Sequence, residues 1–452
     1  MRPRRLPFLS ALLGAILLGA ILLGATACER PFVEARAPEI EIVSPDLSTV
    51  LVDSVATLRV RAVSFRSVER VTVNDTPMHF APERGTWEAG MRFEKGLNAL
   101  VLSAVDAADV ERRDTVFAVY LPFRVSSEAP ALEAPLAGHA AVLLADGSLL
   151  LTGGVSRADG EARRDAHLLP PGAARFERLD ARMVEPRTGH TATLLPDGRV
   201  LLLGGSRSDS LSSTASLVEA AEVFDPGART FAPVPVLGEP IRRAHHTAVP
   251  RPAADGVLID LYGGRGDVRY RPEPRLGIRD DLRGFLFARD TLFALSPAPG
   301  PLIEPVTGHT VTPLDAADPI AARRFLVLGS FFDGGFVEQT HFIFDYRPGV
   351  GILIDRAAPA AIPRTLHAAV HVAPGMVLLL GGHQGAPASA LDVPEVYVEP
   401  AGRSFRFPAS EELPRKRYAF TATILPSRRI LLTGGFTSDG ILIESEFFDL
   451  DF

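Results

Sequence analysis

The chain has 452 residues, 46% of them apolar, with 47 basic against 54 acidic side chains and a formal charge of −7. That length implies more than one domain with ample core material, and the mild acidity excludes the basic footprint of a nucleic-acid binder. A single cysteine, Cys28, excludes any intrachain disulfide, and Lys95 and Lys416 are the only lysines among the basic residues.

Residues 1–27 read as a signal peptide. Arg2, Arg4 and Arg5 form a cationic start, Leu6 to Leu23 is almost wholly apolar, and Gly24-Ala25-Thr26-Ala27-Cys28 supplies small residues before the cysteine. An ordinary secretory signal or an anchor helix fits this pattern. The segment also resembles a bacterial lipobox, with Ala25 where leucine is commonest. That resemblance implies acylation of Cys28, which becomes the mature N-terminus and holds the protein to a bilayer through its acyl chains. Removing residues 1–27 takes away three arginines and no acid, so the charge moves from −7 to −10. Glu29, not aspartate, follows the cysteine. By the usual lipoprotein sorting rule this implies the outer membrane of a bacterial envelope, on its periplasmic or its outer side. No later stretch has the ~20 apolar residues that span a bilayer.

Residues 28–37 read as a tether, and residues 38–123 as a strand-rich module. Apolar residues alternate at Ile40/Ile42, Leu58/Val60/Ala62, Val71/Val73, Leu100/Leu102 and Val116/Ala118/Tyr120. Period two means strands with one buried face. Ser44-Pro45-Asp46, Asn74-Asp75, Glu83-Arg84-Gly85 and Gly96 break the runs, which suggests a small antiparallel sandwich. Ile42-Val43-Ser44-Pro45 and the run from Gly96 to Ala104 resemble bacterial immunoglobulin-like (Ig-like) modules. Trp87, the sole tryptophan, reads as core, with a sugar-stacking platform as the alternative.

After a polar connector over 124–137, one unit recurs six times between Gly138 and Phe452. Gly138-His139…Asp146-Gly147…Leu149-Leu150-Leu151-Thr152-Gly153-Gly154 returns as Gly189-His190…Asp197-Gly198…Leu201-Leu202-Leu203-Gly204-Gly205. Weaker copies carry His246 with Gly263-Gly264, His309 with Gly329, His367 with Gly381-Gly382, and Phe420 with Gly434-Gly435. The first glycines are 51, 59, 66, 52 and 53 residues apart. A unit of this length cannot bury its own apolar face, so the copies must stack. Each apolar run before a glycine pair reads as an inner strand buried on both faces.

Glu222-Val223-Phe224-Asp225-Pro226…Phe231…Arg243…His246…Asp255-Gly256…Gly263-Gly264 resembles a kelch repeat of galactose-oxidase-like propellers. Val396-Tyr397-Val398-Glu399-Pro400 and Glu446-Phe447-Phe448-Asp449 are further copies. The resemblance implies an all-β chain: a six-bladed kelch-type β-propeller over 138–452, preceded by a small Ig-like β-sandwich. The last copy stops after its third strand, so its fourth is expected from around Tyr120 to Val125.

The galactose-oxidase likeness raises copper radical oxidases. They need a cysteine crosslinked to tyrosine, and the absence of any cysteine after Cys28 excludes that chemistry. The histidines recur at one place in five of the six units, at His139, His190, His246, His309 and His367, which implies a structural role; metal ligands would converge on one point. No metal and no cofactor is expected. Arg187, Arg243, Arg364 and Arg417 hold one place in four copies, where Leu136 and Val306 stand in the others. By the family resemblance they are the candidate ligand-binding residues, a ring at the channel mouth gripping carboxylates. The alternative is that each pairs with an acid or carbonyl of its surroundings. The arginine-rich stretch from Arg265 to Arg283 and the segment from Ser206 to Ser216 read as exposed loops, and Arg265-Gly266-Asp267 as chance.

Two functions are implied. The first is a lipid-anchored binding or scaffold protein of the envelope, presenting the propeller to a protein or glycan, acidic ligands included. The alternative is an enzyme on an anionic sugar, such as the sugar-acid mutarotases found among six-bladed bacterial kelch proteins.

Overall fold

The computed structural model describes residues 36–156, 159–210, 213–269, 274–295, 300–301, 305–329, 341–347, 351–409 and 413–451. The signal segment and Cys28 lie outside them. Among the described residues no helix is long and apolar enough to cross a membrane.

Residues 39–120 form a β-sandwich. One sheet runs in the order Glu39–Ser44, Val55–Val63, Thr86–Arg92, His79–Ala81. The other runs Val50–Leu51, Glu111–Tyr120, Gly96–Asp106, Val68–Val73, Thr76–Pro77. The alternation has the expected consequence: Leu58 and Val60 of one sheet meet Val71, Val73, Leu100 and Leu102 of the other in one core. Trp87 packs against that core, with its ring 5.2 Å from that of Phe80.

The sandwich is packed against the repeat region. Val50, Val119 and Leu121 share a core cluster with Val396, Val398, Phe405 and Phe407 of the fifth repeat. Arg403 closes the same junction, donating to the carbonyls of Leu47 at 2.8 Å and Phe117 at 3.2 Å.

From Ala140 onward the chain is a β-propeller. Six sheets built on the same antiparallel core succeed each other, the third enlarged by Val236–Leu237 pairing parallel to Thr291–Ala294 and by Gly300–Pro301. Their first strands are Ala140–Leu143, Thr191–Leu194, Thr247–Ala253, Thr310–Pro313, Ala368–Ala373 and Thr421–Ile424. Each of these touches the next in order, and the sixth touches the first. The second strands are the apolar runs, such as Leu149–Thr152 and Val200–Leu203, and every residue in those two is buried. The glycine pairs then turn the chain where sheets nearly collide. A Cβ on Gly153 (φ +61°) would stand 2.3 Å from the carbonyl oxygen of Arg187 in the next unit, so only glycine fits.

The sixth sheet takes its outer strand from the connector: Phe123–Ser126 pairs antiparallel with Ser445–Leu450, Phe123 opposite Leu450 and Ser126 opposite Phe447. The strand starts three residues later than the sequence pattern suggested, because Tyr120 still pairs with Gly96 inside the sandwich. The stretch from Arg265 is not a plain loop. Arg265–Arg269 and Pro274–Ile278 form a hairpin that extends Arg243–Ala244 as a three-stranded sheet. The two ends of the segment from Ser206 to Ser216 also differ from a plain exposed loop. Ser206 is fully buried and exchanges backbone hydrogen bonds with Thr188 at 2.9 Å, and Thr214–Ser216 is a short 3-10 turn.

Candidate functional site

The four arginines chosen from the repeat are not a ring open to ligand. Arg187, Arg364 and Arg417 are at most 1% exposed and Arg243 only 2%. Arg187 donates to Glu222 at 2.7 Å and to the carbonyls of Gly204 at 2.7 Å and Ala220 at 2.8 Å. Arg364 donates to Glu395 at 2.6 Å and the Gly381 carbonyl at 2.9 Å. Arg417 reaches Glu446 and, at 3.2 Å, the Gly434 carbonyl. Arg243 bonds the Gly263 carbonyl and Asp281, both at 3.1 Å.

Each guanidinium therefore caps the first carbonyl of its own glycine pair and neutralises an acid on the third strand. The Glu of the Glu-apolar-aromatic signature and the Arg of the repeat are two halves of one buried ion pair. Burial lowers Arg243 to about 10, against the pull of Asp281. The fourth unit replaces both halves together: Val306 takes the arginine's place and Phe342 the acid's, opposite Val327. The carboxylate-gripping role is thus corrected. These side chains are spent on the fold and present no charge to solvent.

The histidines form a second repeated device. His139 bonds Thr421 at 3.0 Å, His309 bonds Thr247 at 3.0 Å and His367 bonds Thr310 at 2.9 Å, each through Nε2 and each reaching into the preceding sheet. His190 finds alanine at the matching place, Ala140, and bonds Thr152 at 2.9 Å instead. Burial lowers His139 and His309 to about 3, and lowers His190, His246 and His367 as well, so the set is neutral at physiological pH. Among the described residues no three His, Cys, Asp or Glu side chains come together as a metal site. His371, four residues after His367, bonds the Pro313 carbonyl at 2.9 Å.

The residue before each histidine (before Phe420 in the sixth unit) builds a feature with no side-chain signature. Gly138, Gly189, His245, Gly308, Leu366 and Ala419 each donate a backbone N–H to the carbonyl of the corresponding residue in the neighbouring unit. The bonds measure 2.7–3.2 Å and close on themselves from Gly189–Gly138 round to Gly138–Ala419. All six have left-handed φ, including His245 (+54°), Leu366 (+51°) and Ala419 (+51°). A side chain there costs about 1–3 kcal/mol, tolerated where the surroundings over-determine the backbone. Here the closed ring does so.

Gly138, His245, Gly308, Leu366 and Ala419 line both a narrow channel of about 140 Å³ walled by the histidines and a wider funnel of about 240 Å³. The funnel's other walls are Asp209, Arg265, Thr307, Thr365, His383, Gly385, Tyr418 and Phe436. Tyr418 stacks on Phe436 with ring centres 5.3 Å apart at 23°, and the His383 ring meets Tyr418 edge-on at 4.8 Å. Gly385 donates its N–H to His383 Nδ1 at 3.0 Å. That bond places the imidazole proton on Nε2. Burial lowers His383 to about 4; burial, then the charge of Arg265, lowers His245 to about 4. Asp209 is exposed, yet the surrounding protein displaces enough water to raise its carboxyl from its ordinary value. Burial and then the Asp209 charge raise the Tyr418 phenol.

Sequence reasoning missed this site because it searched for what the copies share. The funnel is built where they differ. Arg265, His383 and Phe436 directly follow their glycine pairs, where Val155 and Ser206 stand in other copies. Tyr418 lies two residues before Phe420, where Ala137 and Thr188 precede the histidines of the first two units.

No protein-family model matches the chain, and no curated protein matches it. Solved structures do. The chain is similar to YjhT with a TM-score of 0.54 and 13% identity, over 72% of this chain and 99% of that one. It also aligns with a fungal alcohol oxidase of the AA5 family solved with copper, at a TM-score of 0.48 and 15% identity over 90% of this chain and 76% of that one. The likeness to YjhT, a kelch-type propeller, fits a kelch-like all-β fold.

Proposed function

We propose that the protein is a six-bladed kelch-type propeller with an Ig-like N-terminal module, held on the bacterial envelope through a lipidated Cys28, and that its axial funnel binds a glycan. The six sheets and the closed circuit of first strands support the blade count. The composition of the segment before Cys28 supports the anchor. One observation carries the glycan reading: the stacked Tyr418–Phe436 pair shares a pocket with Asp209, Thr307, Thr365 and His383. A sugar ring offers an apolar C–H face to aromatics and hydroxyls to such polar groups. At about 240 Å³ the pocket is below the roughly 300–1,000 Å³ of drug-sized sites, which suits one sugar unit or a chain end.

A protein ligand finds less support, since the funnel is small and recessed. An acidic ligand loses its basis with the burial of the four arginines. Catalysis on a sugar is the second reading, favoured by the placing of a carboxyl, Asp209, and a phenol, Tyr418, on the walls of one pocket, two groups able to exchange protons with a substrate. A glycan array followed by titration calorimetry tests binding. Tyr418→Ala should weaken the best glycan about tenfold or more at unchanged melting temperature. Equal affinity in the variant, or an array with no hit, rejects the funnel as a glycan site.

A further inference from the structure

Arg265 and Asp209 are the two charged side chains among the residues lining the funnel, and they are not equivalent. Arg265 acts on His245, whose imidazole it helps to keep neutral. Asp209 acts on Tyr418, whose phenol its charge helps to raise after burial. Among the described residues Asp209 is the only carboxylate lining the funnel, and no described side chain donates a hydrogen bond or forms an ion pair to it. Its backbone is fixed all the same: the Asp209 N–H donates to the Gly160 carbonyl at 2.8 Å, so the carboxylate is held at the mouth by its backbone while its charge is left unused.

We propose that this corner takes a primary ammonium group, and that the preferred ligand of the funnel is an amino sugar with a free amine, its ammonium on the Asp209 carboxylate and its ring against Tyr418 and Phe436. The inference rests on the glycan reading and specifies it. Three features select this chemistry. A carboxylate accepts charge-assisted hydrogen bonds from an ammonium, the stronger class. The π faces of Tyr418 and Phe436 attract the same cation, more so where water is partly excluded. Arg265, the other charged side chain lining the funnel, is a cation and does not compete with Asp209 for an ammonium. The floor adds no competing charge, being backbone with Gly138, Gly308, Leu366 and Ala419. The neutral histidines His245 and His383 do not repel a cation either. The raised carboxyl of Asp209 agrees with an anion lacking a counter-charge.

Calorimetry on the full chain at pH 7 with glucosamine, N-acetylglucosamine, glucose and ethanolamine separates the possibilities. The proposal expects glucosamine to bind about tenfold or more tighter than N-acetylglucosamine and glucose, and ethanolamine to bind weakly. Asp209→Asn should erase the preference for glucosamine while leaving glucose binding and the melting temperature unchanged. Equal binding of glucosamine and glucose by the wild type overturns the ammonium site and leaves the glycan reading standing. Ethanolamine binding as tightly as glucosamine overturns the amino-sugar assignment, since the ring then contributes nothing. No binding by any of the three sugars overturns the amino sugar. If Tyr418→Ala also leaves an array-identified glycan unaffected, the funnel reading falls with it.

Discussion

Arg364 and Glu395 illustrate how a repeated residue can be indispensable without being functional. Both are 0% exposed at the side chain, and the guanidinium also holds the Gly381 carbonyl at 2.9 Å. Removing one partner strands a buried charge, which costs about 3–5 kcal/mol. Arg364→Ala should therefore lower the thermal midpoint substantially and leave any ligand affinity of the folded fraction intact. The fourth unit shows the apolar solution, Val306 with Phe342. The double change Arg364→Val with Glu395→Phe should recover most of the loss, and a double variant as unstable as the single one would refute the paired-replacement account. The histidines make a second prediction at this scale. His139 and His309 titrate near 3 in the fold against an ordinary 6.5. Below pH 6.5 the unfolded chain takes up protons that the folded chain refuses, so stability is full above 6.5 and falls as pH drops toward 3. Each fully suppressed histidine contributes a slope of up to about 1.4 kcal/mol per pH unit. His309→Phe, the residue the sixth unit uses at Phe420, should flatten the acid limb of the melting-temperature profile. An unchanged slope would contradict this.

At the level of elements, the repeat was legible because its strands and glycine pairs obey simple rules: apolar runs buried on both faces, and glycine where neighbouring sheets meet. The borrowed outer strand was legible as a gap in the last copy, though its start was displaced by the competing pairing of Tyr120 with Gly96. Phe123 fixes that strand, stacking on Phe448 at 5.0 Å and meeting Phe407 edge-on at 4.7 Å. Phe123→Ala should cost about 3 kcal/mol and lower the melting temperature of the whole propeller, because the same strand joins its two ends. A melt unaltered by the substitution would mean that the closure contributes little. For the arginines the repeat left two roles open at this level, ligand binding or pairing with a nearby acid. Position within the repeat specified which end of the sheet they occupy, but whether they face water depended on Glu222, Asp281, Glu395 and Glu446, which stand 29–38 residues further along the chain. The hairpin at Arg265–Arg269 was missed for a related reason: its charge suggested a solvated loop, while its pairing to Arg243–Ala244 is a tertiary contact.

For the whole molecule, the ring of six backbone hydrogen bonds lines both the histidine-walled channel and the funnel proposed to take a ligand. Histidines line the narrow channel on one side; on the other lie the residues that differ between copies. Function is read most directly from those variable positions, so the central claim is that a sugar occupies the funnel. A crystal structure of the protein with the best glycan from the array tests it most directly. The account predicts a sugar ring in the funnel, stacked on the Tyr418–Phe436 pair and above the backbone ring at Gly138 and Gly308. A sugar seated instead on the N-terminal sandwich or on the outer sheet edges, with the funnel empty, would contradict it.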